Sequence, residues 1–319
     1  MFRGLSLLVI IVALAGLPAT SSAQQATKQV AITFDDLPVA STVQTDEGWA
    51  QITNKLLGTM KRNKLPVVGF VNENKLYTND KLNPKRVALL KAWLDAGLEL
   101  GNHTFSHRSL NSTPLAEFQS DVLRGEKVLR ELAKAKRAKL RYFRHPFLHT
   151  GRSLETRQAF ESFINTHGYT VAPVTIDNSE WIFARAYDNA RDANDRDAMN
   201  RVAAAYIPYL ESYFAHFENL SDKLFGRNIK HVLLLHANAI NADHFGELVA
   251  MIKKRGYTFI TLEEALTDNA YRSTDTTTGA YGISWIDRWA LTRNVPAGFF
   301  KGEPRTPEFV LKLAGVESG

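Results

Sequence analysis

Val30-Ala31-Ile32-Thr33-Phe34-Asp35-Asp36-Leu37-Pro38 is the stretch from which the rest of the chain can be read. An apolar run ends in two adjacent carboxylates and is then cut by a proline. The run reads as a strand that delivers both acids at its C-terminal end. Like charges side by side repel, and burial makes the repulsion worse. A bound cation resolves the conflict by taking one carboxylate as a ligand and leaving the other free as a base. A solvated turn after the strand is the competing reading, because Asp is common in turns.

Working outward, short apolar runs recur at Gln29–Phe34, Val67–Val71, Glu99–Asn102, Tyr142–Arg144, Tyr169–Val174, His231–Leu235 and Thr258–Thr261. Amphipathic segments separate them. Trp49, Ile52, Leu56 and Met60 fall at helical spacing, and Asn83-Pro84 is a capped helix start that runs to Gly97. A further helix is expected from Thr113-Pro114 through Phe118, Asp121-Val122 and Val128-Leu129. Others end at Gly168 and Gly256. Strands alternating with helices predict an α/β fold with a parallel sheet. No glycine-rich phosphate loop follows any strand, so an incomplete barrel fits better than a dinucleotide-binding sheet.

Three regions stand outside this alternation. Residues 1–23 read as an export signal, with Arg3 as the only charge, an apolar stretch from Leu5 to Leu17, and Ser21-Ser22-Ala23 before the cut. An uncleaved N-terminal anchor is the other reading, although the apolar core falls short of the ~20 residues of a membrane span. Residues 182–230 form a long insert, polar and then helical from Arg185 to Phe225. Residues 269–319 begin as a Thr/Ser/Asp linker and become an aromatic tail (Tyr281, Trp285, Trp289, Phe299, Phe300), expected to pack across the barrel or over its cleft. Trp285 and Trp289 are four apart, a spacing that serves packing or a sugar platform. The chain has no cysteine, which excludes a disulfide framework. Its net charge of +6 is spread over helix faces, and no aromatic-basic motif accompanies it, so nucleic acid is not an expected partner.

Reactive residues gather at the strand ends. His103-Thr104-Phe105-Ser106-His107 places two imidazoles on one side if the segment turns into a helix. Together with Asp36, His103 and His107 make a two-histidine, one-carboxylate set with open positions. Arg144-His145-Pro146-Phe147 brings an arginine able to hold a neighbouring carboxylate ionised. Asp177-Asn178-Ser179-Glu180-Trp181 and Leu233-Leu234-Leu235-His236 end two further strands. In a parallel α/β barrel such ends share one face, where active sites gather. His145 and His149 either touch substrate or sit in a surface loop. Asn238 either bonds a sugar or caps a turn. His216, His231 and His244 have no partner at ligand spacing.

The ordered set Thr33-Phe34-Asp35-Asp36, His103-Thr104-Phe105-Ser106-His107, Arg144-His145-Pro146-Phe147, Asp177-Asn178-Ser179-Glu180-Trp181 and Leu234-Leu235-His236 resembles the polysaccharide deacetylases (NodB homology domain, carbohydrate esterase family 4). The resemblance covers roughly Gln29 to Leu266, and it departs at Glu180, where the family usually has aspartate before the tryptophan. It implies a deformed (β/α)7-type barrel, here with a long helical insert and a C-terminal aromatic extension. It implies a deacetylase domain over residues 27–268, insert included. It also implies a zinc-type hydrolase that removes acetyl from N-acetylated sugars of a chitin-like or peptidoglycan glycan. Asp35 would be the base, Asp36, His103 and His107 the metal ligands, Arg144 the group that orients Asp35, and His236 the acid. Asp177 and Glu180 are alternatives for the partner of His236. Trp181 and Leu234 would line the acetyl pocket, with Pro146 and Phe147 also on the substrate side.

The chemistry agrees with these roles. Amide hydrolysis needs a strong nucleophile at neutral pH, polarisation of the carbonyl and an acid for the leaving nitrogen. Two imidazoles and a carboxylate suit Zn2+, and Co2+, Ni2+ or Mn2+ bind the same ligands. Export would place the protein in the periplasm or outside the cell, with no membrane span once the signal is removed. Two other readings stay open: a metal-containing carbohydrate-binding protein with little or no catalysis, and a metal amidase or esterase acting on a non-sugar substrate.

Overall fold

The protein is described by a computed structural model over residues 28–317; the expected export signal lies outside the described residues. The strands are β1 (Lys28–Leu37), β2 (Val67–Val71), β3 (Tyr77–Thr78), β4 (Lys81–Leu82), β5 (Glu99–Asn102), β6 (Tyr142–Phe143), β7 (Thr170–Val171), β8 (His231–His236) and β9 (Tyr257–Phe259). β3 and β4 form a separate antiparallel hairpin. The other seven are parallel, in the order β7-β6-β5-β2-β1-β8, with β9 paired to Lys28–Val30 of β1.

The two ends of this sheet meet. Beyond β7 the chain runs on to Ile176, which bridges Leu233 of β8; Ile176 N–H donates to Val232 O at 3.0 Å and Leu234 N–H to Ile176 O at 3.2 Å. The sheet thereby curls into a deformed barrel with helices outside it, the α/β fold expected. Closure rests on this short bridge, which explains why strand-length patterns alone read as an incomplete barrel.

Alternation along each strand sorts side chains between two cores. Val30, Ile32 and Phe34 face the outer helices, whereas Ala31 packs with Val68, Phe70, Tyr142, Ala172 and Val232 inside the barrel. Outside, the helix Asp46–Asn63 buries Trp49, Ile52, Leu56 and Met60, the stripe its spacing predicts, and Thr45 caps it by accepting from Gly48 N–H. Asn83 caps Pro84–Asp95 in the same way.

Three expectations need correction. The helix expected to continue from Thr113-Pro114 to Leu129 is two, Leu115–Arg124 and Lys127–Lys136, broken at Gly125. A Cβ at Gly125 would lie 2.4 Å from the backbone carbon of Thr104, so the break lets the His103–His107 loop pack close. The insert is helical from its first residues, not polar and then helical. Ile182, Phe183, Ala186, Tyr187 and Ala190 give Glu180–Asp192 a buried face among its charges. The helix Arg196–Phe225 follows, capped by Asp195. The segment from His103 to His107 is an irregular loop and not a helical turn.

The tail packs on the barrel. Trp285–Thr292 is a helix capped by Ser284, and Trp285 N–H donates to Val174 O at 2.7 Å. Trp285 and Trp289 are both buried, with Trp289 edge-on to Phe225 and Tyr271, so this pair serves packing. Among the described residues no helix is long and apolar enough to cross a membrane.

Candidate active site

The interior positions turn polar toward the C-terminal strand ends. On β1 the inward series is Ala31, Thr33, Asp35; after Tyr142 of β6 comes Arg144; after Val232 of β8 come Leu234 and His236. A strand places neighbours on opposite faces, so Asp35 and Asp36 should diverge. They do not, because the β1 register shifts between Phe34 and Leu37 and Asp36 takes φ 68°. His103 Nε2 then lies 3.7 Å from Asp35 Oδ2 and 3.6 Å from Asp36 Oδ1.

The histidine loop reaches the same point by left-handed turns at Thr104 (φ 67°) and His107 (φ 55°). Asn102 Oδ1 accepts from Thr104 N–H, and Thr104 Oγ1 accepts from His107 N–H, which fixes the loop from within. His107 Nε2 lies 3.4 Å from Asp36 Oδ1. Asp36, His103 and His107 each offer one ligand atom, and these atoms lie within 4.8 Å of one another. The donor set fits a divalent cation on two counts. Asp36 Oδ1 is buried without a hydrogen-bond donor. His103 Nδ1–H donates to Arg144 O at 2.8 Å, which leaves the Nε2 lone pair facing the site. Burial, aided by His107, keeps His103 well below the usual imidazole range and therefore neutral, as a ligand must be. Asp36 is ionised against the effect of burial by Lys75, His107 and His103; Lys75 Nζ stands 3.6 Å from Oδ2.

Arg144 is fully buried and spans the barrel interior. Its Nη1 lies 3.3 Å from both oxygens of Asp35, Nη2 donates to Thr33 Oγ1 and Nε to Ala172 O. Asp35 is nonetheless pushed up to about 6, since burial, with Asp36 beside it, outweighs Arg144 and His236.

Of the two acids left as alternatives, Glu180 meets His236: its Oε2 lies 2.7 Å from Nδ1. Glu180 Oε1 accepts from the side-chain amides of Asn238 and Asn241, both at 2.5 Å, and Tyr206 of the insert donates to Asn241 Oδ1. Asn238 also caps the helix Ala239–Lys254, accepting from Asn241 N–H. Although burial lowers the proton affinity of His236, Glu180 more than offsets it and holds the ring near 9, protonated at neutral pH. Asp177 lies on the cavity wall instead, raised to about 7 by burial with Asp287 adding.

A cavity of about 890 Å3 joins these groups. Asp35, Asp36, His103, His107, Leu234 and His236 reach it, as do Phe147 and Trp181, which are 55% and 45% exposed. Pro146, Arg144 and Glu180 are buried behind the wall and do not line it. His149 lines the wall, whereas His145 is buried and His244 bonds Glu247. The sequence reading did not single out Lys75, Asn241, Asp287 or Glu303; the tail, expected across the barrel or over its cleft, brings Tyr281, Asp287 and Glu303 to the wall. The three-residue spacing of Asn238 and Asn241 just after His236 was the available signal for one of them.

Residues 22–171, just under half of the chain, match the family model described as polysaccharide deacetylase. No protein of curated function matches the chain. Among solved structures, the family 4 carbohydrate esterase from Streptomyces lividans in complex with acetate is 20% identical, with TM-score 0.45 over 75% of this chain and 95% of that one. The family 4 acetyl xylan esterase from Clostridium thermocellum in complex with a cobalt ion is 19% identical, TM-score 0.48, over 75% and 91%. The peptidoglycan deacetylase PdaC from Bacillus subtilis is 18% identical, TM-score 0.47, over 76% and 93%.

Proposed function

We propose that this protein is a metal-dependent hydrolase that removes N-acetyl groups from amino sugars of a glycan, chitin-like or peptidoglycan. The observation that carries the reading is one cavity in which Asp36, His103 and His107 converge, with Asp35 beside them and protonated His236 facing the same space. Asp36, His103 and His107 would hold the cation, with Zn2+ the first choice for that donor set and Co2+, Ni2+ or Mn2+ able to replace it. The cation would supply Lewis acidity, making water nucleophilic near neutral pH and polarising the acyl carbonyl.

This chain's own residues do the rest. Asp35, held in place by Arg144, takes a proton from the attacking water as the new C–O bond forms. His236 gives its Nε2 proton to the amide nitrogen as the C–N bond breaks, releasing acetate and a free amine. Glu180 stabilises the charged ring before that transfer and keeps its Nδ1 proton in place. Leu234 and Trp181 offer apolar surface to the acetyl methyl. In this reading residues 1–23 direct export to the periplasm or beyond, residues 27–268 are the deacetylase domain, and residues 269–319 complete its cleft.

The test is acetate release from N-acetylated chitooligosaccharides and peptidoglycan fragments, before and after chelation and metal re-addition. Release that disappears with chelator and returns with metal supports the reading. Absence of release from every acetylated glycan by the metal-loaded protein rejects it.

A further inference from the structure

The cleft continues past Phe147 into a second, basic cavity. Its volume is about 550 Å3, and Phe147 and His149 line both spaces. Arg108 and Arg152 supply two guanidinium groups, and Ser109, Ser112 and Thr113 add hydroxyls. No carboxylate lines this cavity. The main cavity, by contrast, mixes Asp177, Asp188, Asp287 and Glu303 with Arg185 and His236.

This second space is a built one. The side chain of Asn111 ties three segments together: Nδ2 donates to Gly279 O and Ala280 O of the tail, and Oδ1 accepts from Gly151 N–H. His149 is pinned by Ser109 Oγ at 2.7 Å from Nδ1. Arg108 shares Glu117 at 3.1 Å, an exposed pair that competes weakly with a ligand, and Arg152 is exposed with no ion pair among the described residues. The two spaces lie in sequence along the cleft: the His107 ring is 4.4 Å from the Phe147 ring, which is 5.4 Å from that of His149.

We propose that this basic cavity is a subsite for a carboxylate carried by the sugar unit next to the one that is deacetylated, so that the substrate is an acidic glycan. A guanidinium matches a carboxylate through paired N–H donors, and Arg108 and Arg152 face a space that no protein acid occupies. Phe147, between the two cavities, offers an exposed ring face to the sugar unit that carries the carboxylate.

This inference rests on the deacetylase reading for its orientation, and the experiment separates the two. Three N-acetylated oligosaccharides of equal length are compared: one neutral, one with alternating uronic acid units, and one with lactyl ether carboxylates on alternate units. Calorimetry measures binding to the metal-loaded enzyme, and acetate release measures turnover. The expected result is about tenfold tighter binding and lower KM for at least one acidic oligosaccharide, with kcat little changed, the size of one charge-assisted contact. Arg108→Gln and Arg152→Gln are surface changes; together they should remove the preference and leave neutral-substrate turnover within about twofold. Which acidic oligosaccharide is preferred identifies the source of the carboxylate. Equal binding of all three by the wild-type protein, or a preference that survives the double variant, overturns the subsite. Failure to release acetate from any of them rejects the deacetylase reading while the binding comparison still decides the subsite.

Discussion

Glu180 Oε2 stands 2.7 Å from His236 Nδ1, and the other oxygen of the same carboxylate is held by two asparagine amides. The acid is the first residue of the helix Glu180–Asp192, which leads into the insert, whereas the histidine ends a barrel strand. The insert supports this pair through Tyr206, which donates to Asn241 Oδ1. The Glu180 side chain meets His236 while the amides of Asn238 and Asn241 donate to its far oxygen.

Glu180→Gln should lower the proton affinity of His236, since the main force raising it toward 9 is removed while burial remains. The alkaline limb of the pH–rate profile should move to lower pH, and kcat at neutral pH should fall on the order of a hundredfold. An alkaline limb unchanged in Glu180→Gln would separate that acid from His236.

In the proposed mechanism the acid limb belongs to Asp35. Its carboxyl, pushed up to about 6 by burial, must be ionised to accept a proton, so activity should rise with pH through about 6 or below. A bound cation favours the ionised form, so its position in the metal-loaded enzyme should lie on the acid side of 6. Arg144→Met removes the opposing charge and should shift that limb upward; pH–rate profiles of the pair check the direction.

Asp268 offers a stability test far from the chemistry. Burial would raise its pKa, but Arg227, together with the N–H groups of Ala270 and Lys230, brings it down to about 2. The unfolded carboxyl titrates near 4, so this stabilisation is present above pH 4 and is lost as pH falls from 4 to 2. Asp268→Asn should cost about 1 kcal/mol at pH 7, reduced from the full shift because Arg227 is half exposed. Thermal melts should show the two proteins converging near pH 2.

Gly282 is where the tail touches the Phe147 loop. A Cβ there would lie 1.8 Å from Phe147 O. Gly282→Ala should displace the tail from the cleft wall, raising KM for glycan several-fold while far-ultraviolet circular dichroism stays native. Unchanged KM would mean that the tail wall does not bear on substrate.

Much of the fold was legible because its signals are local. Strand ends with period-two alternation, the Thr45 and Asn83 caps and the stripe Trp49-Ile52-Leu56-Met60 are each contained within one element. The site residues could be listed for a related reason: in a parallel barrel every strand end opens on one face. Their geometry was not legible. Asp36 and His107 adopt left-handed backbone that neither residue type announces, and a helical turn was expected where a loop stands. The pairing of Glu180 with His236 is supported by Asn238, Asn241 and Tyr206, contributed by two helical regions far apart in sequence from Glu180, and no local pattern joins them to it. Which tail residues reach the cleft wall, Tyr281, Asp287 and Glu303, is likewise a long-range packing result.

The division of labour between Asp35 and Asp36 is the centre of this account. The direct measurement is metal affinity by calorimetry alongside acetate release, for Asp35→Asn and Asp36→Asn. Asp36→Asn should weaken metal binding on the order of a hundredfold or more, because it removes a ligand atom. Asp35→Asn should keep metal affinity within a few-fold of wild type while turnover falls at least a hundredfold. Equal loss of metal in both variants, or full turnover in Asp35→Asn, would contradict it.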